Sequence, residues 1–355
     1  MNFLNKIKSF FAKKFKQPIS NTALLLTITI FTFIAMYVFA MIVWGGGFLN
    51  IQQFFNIFNN NAYLIIISCG LTLVMISGGI DISVGGQIAL ITMTTVCMLE
   101  NKGGSVFGAL IVALAIGLAF GIIQGFFVSY LKIQPFIVTL AGMFFAKGMT
   151  TIVSVNPVTV KANETFLKLK DAYINLPGIG YYTRNGSFIN AYLEIGAVVA
   201  ILVVVIMWAV LKWTRTGRNF YAIGGNSESA LMLGINVQRT RFNAYVICGL
   251  LAGIAGFVYL LHTGAGNASN ADGAEMEAIA SSIIGGTLLT GGVGNVVGTL
   301  FGVMSLKTIN TIVIASGLTQ PWWQKITTGL MLCFFILLQS VILSARKKKL
   351  GSSAA

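Results

Sequence analysis

The chain has 355 residues, of which 9% are charged and 56% apolar, against about 25% charged in soluble proteins. Such a composition cannot cover a water-facing surface and excludes a string of soluble domains of this length. The net charge of +14 lies in loops, with no soluble module to gather it into a patch, which excludes nucleic acid as a partner.

In chain order, residues 1–20 come first. Phe3, Ile7, Phe11 and Phe15 recur every four residues among five lysines, which reads as an amphipathic helix on the anionic inner leaflet or as a disordered basic tail. It is too long and basic for a cleaved signal peptide. Apolar runs then predict ten spans, at 21–43, 54–76, 84–99, 107–130, 133–153, 190–211, 242–261, 277–290, 295–315 and 323–343. The third and eighth are short and read as broken or re-entrant pieces supported inside the bundle. The fold class is therefore an all-α polytopic membrane protein. Its transmembrane domain covers 21–343, between the 1–20 segment and a basic tail at 344–355 whose final GSSAA reads as a cloning remnant. Cys69, Cys97, Cys248 and Cys333 all lie in apolar runs without a C-x-x-C pair, so neither a disulfide nor a metal is implied.

An even number of spans puts both termini on one side, and the basic residues choose it. With the termini cytosolic, the inner segments hold the N-terminal lysines, Lys132, Lys212, Arg215, Arg218, Arg239, Arg241 and the RKKK run at 346–349. The outer segments hold only Lys102, Lys161, Lys168, Lys170 and Arg184. The bias points inward. Gly117, Gly121 and Gly125 in the fourth span and Gly294, Gly298 and Gly302 in the ninth form doubled G-x-x-x-G ladders, which let helices approach closely. The two spans sit five apart and run in opposite directions, the pattern of a five-plus-five inverted repeat.

A transporter needs an energy source. The nine acids map to loops or span ends, which leaves no central carboxylate for proton coupling. Gly-Lys does not occur anywhere in the chain, so it carries no phosphate-binding G-x-x-x-x-G-K-[ST] loop, and any ATPase is a separate subunit. No cluster of nucleophile, base or metal ligands supports an enzyme, and no catalytic residue or metal ligand is assigned. The long cytosolic loop at 212–241 is the element able to receive an outside motor. Gly224 and Gly225 turn the chain, Asn226 caps a short helix, Glu228 sits in its first turn and Gly234 closes it. That helix carries Leu231, Met232 and Leu233 into solvent, either as a knob for a partner's groove or packed against the protein's own inner surface.

Three segments carry a family resemblance: Gly78-Gly79-Ile80-Asp81-Ile82-Ser83-Val84-Gly85; Thr216-Gly217-Arg218 with Ala222-Ile223-Gly224-Gly225-Asn226; and Glu275-Met276-Glu277-Ala278-Ile279-Ala280 running into IIGGTLLTGGVG. In this order and spacing, over about 78–300, the chain resembles the permease subunits of ribose- and galactose-type bacterial ABC sugar importers. TLAGMFFAKG at 139–148 and WWQKITTG at 322–329 look most similar to galactofuranose permeases. Met276-Glu277 stands where the family has Leu-Asp. The resemblance implies a second permease subunit, homomeric or mixed, a cytosolic ATPase pair that holds ATP and Mg, and an external sugar-binding protein. It also implies that 226–234 is the helix coupling to the ATPase, in the inner membrane of a bacterium. No cofactor is expected in this chain.

The remaining candidates are single residues. Asp81, with Gly78, Gly79, Ser83 and Gly85, lies in the break between spans two and three and either caps the third span or gates the inner end of the path. Lys147 and Lys307 fall near mid-span, where an ammonium faces a partner or a wet cavity. They line a sugar path, snorkel, or pair with a carbonyl. Gln124 suits sugar hydroxyls and helix-helix hydrogen bonds equally. Asp272, Glu275 and Glu277, beside His262, and the outer loop 154–189 are candidates for docking the sugar-binding protein through rim charges. Tyr173, Tyr181, Tyr182, Trp322 and Trp323 read as interfacial belt residues. The function expected is the permease of an ATP-driven monosaccharide importer; the alternative is a stand-alone secondary or facilitative sugar carrier.

Overall fold

A computed structural model of the chain describes residues 21–182 and 188–351. The predicted amphipathic segment 1–20 and the last four residues lie outside the described residues. Among the described residues there are thirteen helices: α1 (Asn21–Trp44), α2 (Ile51–Ile76), α3 (Val84–Asn101), α4 (Val106–Ser129), α5 (Pro135–Val153), α6 (Glu164–Lys170), α7 (Ile195–Trp213), α8 (Arg215–Gly225), α9 (Ser227–Met232), α10 (Val237–Thr263), α11 (Ala274–Ile284), α12 (Val296–Ala315) and α13 (Pro321–Gly351). Four short strands, β1 (Val158–Thr159), β2 (Tyr173–Tyr182), β3 (Phe188–Glu194) and β4 (Ala265–Gly266), form two antiparallel pairs, β1 with β4 and β2 with β3.

Side-chain caps start four of the long helices, since the first turn's N–H groups have no helical partner. Asn50 accepts from Gln52 at the start of α2, Ser105 from Gly108 at α4, Asn236 from Arg239 at α10 and Asn295 from Val297 at α12. Pro135 opens α5, and Gly264, left-handed at φ +67, ends α10.

Eight helices, α1, α2, α4, α5, α7, α10, α12 and α13, are long and apolar enough to cross a membrane. The count of ten spans is not reached by that measure, and the two that fall short are the pair read as short. α3 lies against α4, α5 and α10, while α11 lies against α12, α13 and α2. Helices enclosed by protein can carry buried polar side chains such as Gln87, Thr92 and Ser282 that a lipid-facing helix could not. α2 and α10 form the centre, 78% and 72% buried, whereas α1 and α5 at 17% and α13 at 11% form the rim.

The sequence misplaced several boundaries: α10 starts at Val237 and not at 242, and α11 ends at Ile284 and not at 290. Residues 190–194, read as the start of the sixth span, belong to β3, and the helix begins at Ile195. Hydrophobicity summed over a window does not separate a strand of period two from a helix. The β2–β3 hairpin is fastened to α2 by amide side chains that act as a third strand. Gln52 exchanges hydrogen bonds with the Tyr192 backbone, and Asn59 donates to Tyr192 O and accepts from Glu194 N.

The glycine ladders do pack helices together, but against non-equivalent partners. A Cβ on Gly117 or Gly121 would collide with α10 backbone at Gly249, Gly253 and Tyr245. One on Gly298 or Gly302 would collide with α11 at Gly285 and Ser281. A five-plus-five pairing that sets the first ladder on the seventh span would set the second on span two, not span eight, so the ladders alone do not establish a repeat.

Leucine at Gly249, whose Cβ site is filled by α4 backbone, is expected to destabilise the protein by about 1–3 kcal/mol and to lower its thermal midpoint in detergent. Gly148→Leu, where a Cβ meets nothing, should leave the midpoint unchanged.

Candidate functional site

One end of the bundle presents the loop that the sequence singled out. Thr214 caps α8 by accepting from Gly217 N, and Asn226 ends α8 and caps α9 by accepting from Ser229 N at 2.8 Å. Glu228 lies in the first turn of α9. Gly234, at φ +80, closes the turn, with its N–H on Leu231 O and that of Ile235 on Ala230 O. α9 is a six-residue helix, close to the length expected. Only Ala230 of its apolar residues is buried. Leu231, Met232 and Leu233 are 64%, 87% and 80% exposed. The alternative that α9 packs its apolar side chains on the protein's own surface does not hold in this chain. Beside it runs a groove of 810 Å³ lined by the α4–α5 connection and the start of α10, including Ser129, Lys132, Gln134, Leu231 and Arg241.

Gly224 and Gly225 are not the turn predicted. They are the last residues of α8, and Gly224 is required for close approach. Its Cβ position is occupied by Ile76 O at the end of α2 and by Gly292 N. Gly292 N–H donates to Ile76 O at 2.9 Å, and Tyr221 Oη–H donates to Gly294 O at 2.9 Å. A Cβ on Gly291 would meet Gly224 O and Gly78 Cα. Gly78, Gly291 and Gly292 have φ of +83, +86 and +73, conformations that favour glycine. Three connections, α2–α3, α8–α9 and α11–α12, therefore meet backbone to backbone. The run of glycines in TGGVG was the sequence signal for this close approach.

Asp81 is buried behind this junction. Its Oδ1 accepts from Ser83 N at 2.9 Å and Ser83 Oγ at 2.6 Å, and Cys248 Sγ lies 3.8 Å from Oδ2. Ser83 Oγ in turn accepts from Gln87 and Gln124 at 2.6 and 2.9 Å. The carboxylate thus fixes the Ser83 turn preceding α3 and caps no N–H within the helix itself. Gln124 turns to Ser83 and joins α4 to this node, which is the helix-helix role. The crevice of 580 Å³ on its other side, between α4 and α5, is lined almost wholly by apolar side chains. Gly79 admits the Tyr245 hydroxyl, which donates to Ile80 O at 3.0 Å, and Gly85 admits Glu275.

At the opposite end, residues read for two separate tasks are partners. Lys147 Nζ lies 2.6 Å from Asp272, and Lys307 Nζ lies 2.8 Å from both oxygens of Glu277. Each ammonium is held by a carboxylate, not by a carbonyl. The acids do not form one cluster beside His262, which pairs with Glu194 at 2.8 Å instead. Asp272 is half exposed, Glu277 is recessed and Glu275 is buried. The segment 154–189 is tied down nearby: the N–H groups of Ala162 and Lys161 hold the Glu100 carboxyl below the usual carboxylate range. Tyr173, Tyr181 and Tyr182 belong to the hairpin. Among the described residues no group of three His, Cys, Asp or Glu side chains is placed to hold a metal.

The eight long apolar helices are those of a multi-pass membrane protein, and the family match makes it a permease. The family described as branched-chain amino acid transport system / permease component matches residues 53–336, and the chain belongs to that family. The inner membrane ABC transporter permease protein YjfF of Escherichia coli (strain K12) is 39% identical over 314 residues, 88% of this chain and 91% of that protein. The fructose import permease protein FruG of Bifidobacterium longum (strain NCC 2705) is 34% identical over 310 residues, 86% and 88% of the two chains. The ribose import permease protein RbsC of Escherichia coli (strain K12) is 31% identical over 297 residues, 83% and 87%. No solved structure matches the chain. All three relatives are permeases, and this chain is a transport subunit, not an enzyme.

The Lys307–Glu277 pair has side chains 16% and 22% exposed, so Lys307→Ala leaves a carboxylate with little water, at a cost of about 1–3 kcal/mol. Lys307→Glu with Glu277→Lys should recover most of that loss in a thermal-melting cycle; full additivity of the single changes would show that the two do not interact.

Proposed function

We propose that this chain is the permease subunit of an ATP-driven importer for a monosaccharide, a pentose or hexose such as galactofuranose. The observation that carries the reading is the run Leu231, Met232 and Leu233, exposed on a capped helix that leads directly into the glycine junction at Ile76, Gly224 and Gly292. Three adjacent large apolar side chains in solvent mark a protein-binding surface. A junction of backbone on backbone has no flexible side chain to absorb displacement, so a push on α9 passes to the ends of α2 and α12. FruG and RbsC are named for fructose and ribose import, which supports a sugar as cargo, and the resemblance in 139–148 and 322–329 supports galactofuranose among them.

In this reading the face bearing α9 and the basic loops is cytosolic, as are both termini, in a bacterial inner membrane. A cytosolic ATPase pair binds ATP and Mg and seats α9; a second permease subunit completes the path; an external sugar-binding protein docks at the outer segment. Asp272 is the exposed acid there, whereas Glu275 and Glu277 serve inside the permease. Lys307 borders the path, and Gln124 and Asp81 hold α3 against α4. Membrane lipids cover the apolar rim. The working cycle is mechanical: ATP binding closes the ATPases, α9 moves, and the path changes its open side.

Leu231→Asp with Met232→Asp is expected to weaken ATPase association by about 2 kcal/mol or more, roughly thirtyfold, and to abolish sugar-stimulated ATP hydrolysis and uptake in proteoliposomes. The thermal midpoint of the isolated permease should not move, because both side chains are exposed. Undiminished assembly and uptake would refute the role of α9.

A further inference from the structure

On the end of the bundle away from α9, the first half of α2 carries Gln53, Asn56 and Asn60 at spacings of three and four residues, one face of a helix. Asn61 follows, where α2 leaves helical geometry at φ −123, ψ 19. These side chains border a pocket of 180 Å³ completed by Lys307, Asn310, Thr311 and Ile314 from α12 and Gln324 from α13. Asn310 is 5% exposed, and among the described residues neither its Nδ2 nor its Oδ1 has a hydrogen-bond partner. A buried amide with both ends unpaired is costly, and such groups in native proteins face an unfilled site or its water. An amide row on a helix of this bundle cannot face lipid, where nothing would satisfy it.

The chemistry of the pocket is narrow. Its one cation is neutralised by Glu277 at 2.8 Å, and its remaining polar groups are amides and a hydroxyl, each able both to donate and to accept. A charged solute finds no counter-charge there, and an apolar one would leave the Asn310 amide unpaired. The volume holds about six waters at the ~30 Å³ each takes in the liquid, or one small sugar ring. We propose that this pocket between α2, α12 and α13 is a solute subsite of the translocation path, which takes a neutral polyhydroxylated molecule through the Asn310 amide and the α2 amide row. The proposal rests on the importer reading above and adds the place and the groups that hold the cargo.

The test uses the transporter assembled with its ATPase and sugar-binding protein in proteoliposomes, supplied with radiolabelled ribose, fructose or galactose. Asn310→Leu removes an unpaired buried amide and should keep or raise the thermal midpoint, while uptake of whichever sugar the unmodified complex carries falls by about tenfold or more. A residue of structural importance alone would lower both. Asn60→Leu lies on an exposed position and keeps the test decisive if Asn310→Leu does not assemble; it too should slow uptake. Wild-type uptake rates in Asn60→Leu and in any assembled Asn310→Leu complex would overturn the subsite while leaving the importer reading in place. An unmodified complex that carries none of the three sugars would overturn the sugar reading, and this subsite's occupant with it.

Discussion

Close contact of backbone with backbone at glycine is the constraint on which the rest of this structure depends. Inside a bilayer, apolar side chains gain nothing by leaving lipid for protein, so helices associate through dispersion and polar contacts that need short separations. Gly117, Gly121, Gly249 and Gly253 let α4 and α10 touch along their length, and Gly285, Gly298 and Gly302 do the same for α11 and α12. The same device at Gly224, Gly291 and Gly292 joins three connections at one end of the bundle. There it links an exposed knob to the helices that form the centre.

Polar groups divide accordingly between structure and transport. The buried node of Asp81, Ser83, Gln87 and Gln124 has its side chains turned on one another, which fixes the break between α2 and α3. The Lys147–Asp272 and Lys307–Glu277 pairs bind α5 to the segment before α11 and α12 to α11. Among the described residues, the buried Asn310 amide has neither end paired and borders one pocket with the α2 amides.

How much of this was legible in the sequence depends on the range of each signal. Spans were readable because hydrophobicity accumulates over twenty residues, and the α9 caps because Asn226, Glu228 and Gly234 act on neighbours within the same turn. The start of α7 was misplaced because the strand residues Phe188–Glu194 are apolar enough to extend the run. Partners distant in sequence could not be read: Lys147 was separated from Asp272 by 125 positions, so a cation and its counter-ion were given different tasks. Gly224 was assigned to a turn because its reason, the carbonyl of Ile76, lies in another helix. The amide row escaped notice because Asn and Gln belong to no motif, although three of them on one face of a membrane helix was a physical signal in plain view.

The central claim is that α8, α9 and the α11–α12 connection move as one body and carry ATPase motion to the bundle. The most direct measurement is pulsed spin-label distance spectroscopy on the assembled transporter, with labels at Ser229, Leu289 and Ile133, each exposed. Between the nucleotide-free and ATP-bound states, the 229–289 distance should stay constant while the 289–133 distance changes. A 229–289 distance that changes while 289–133 stays fixed would mean that the junction slips, and would contradict the account.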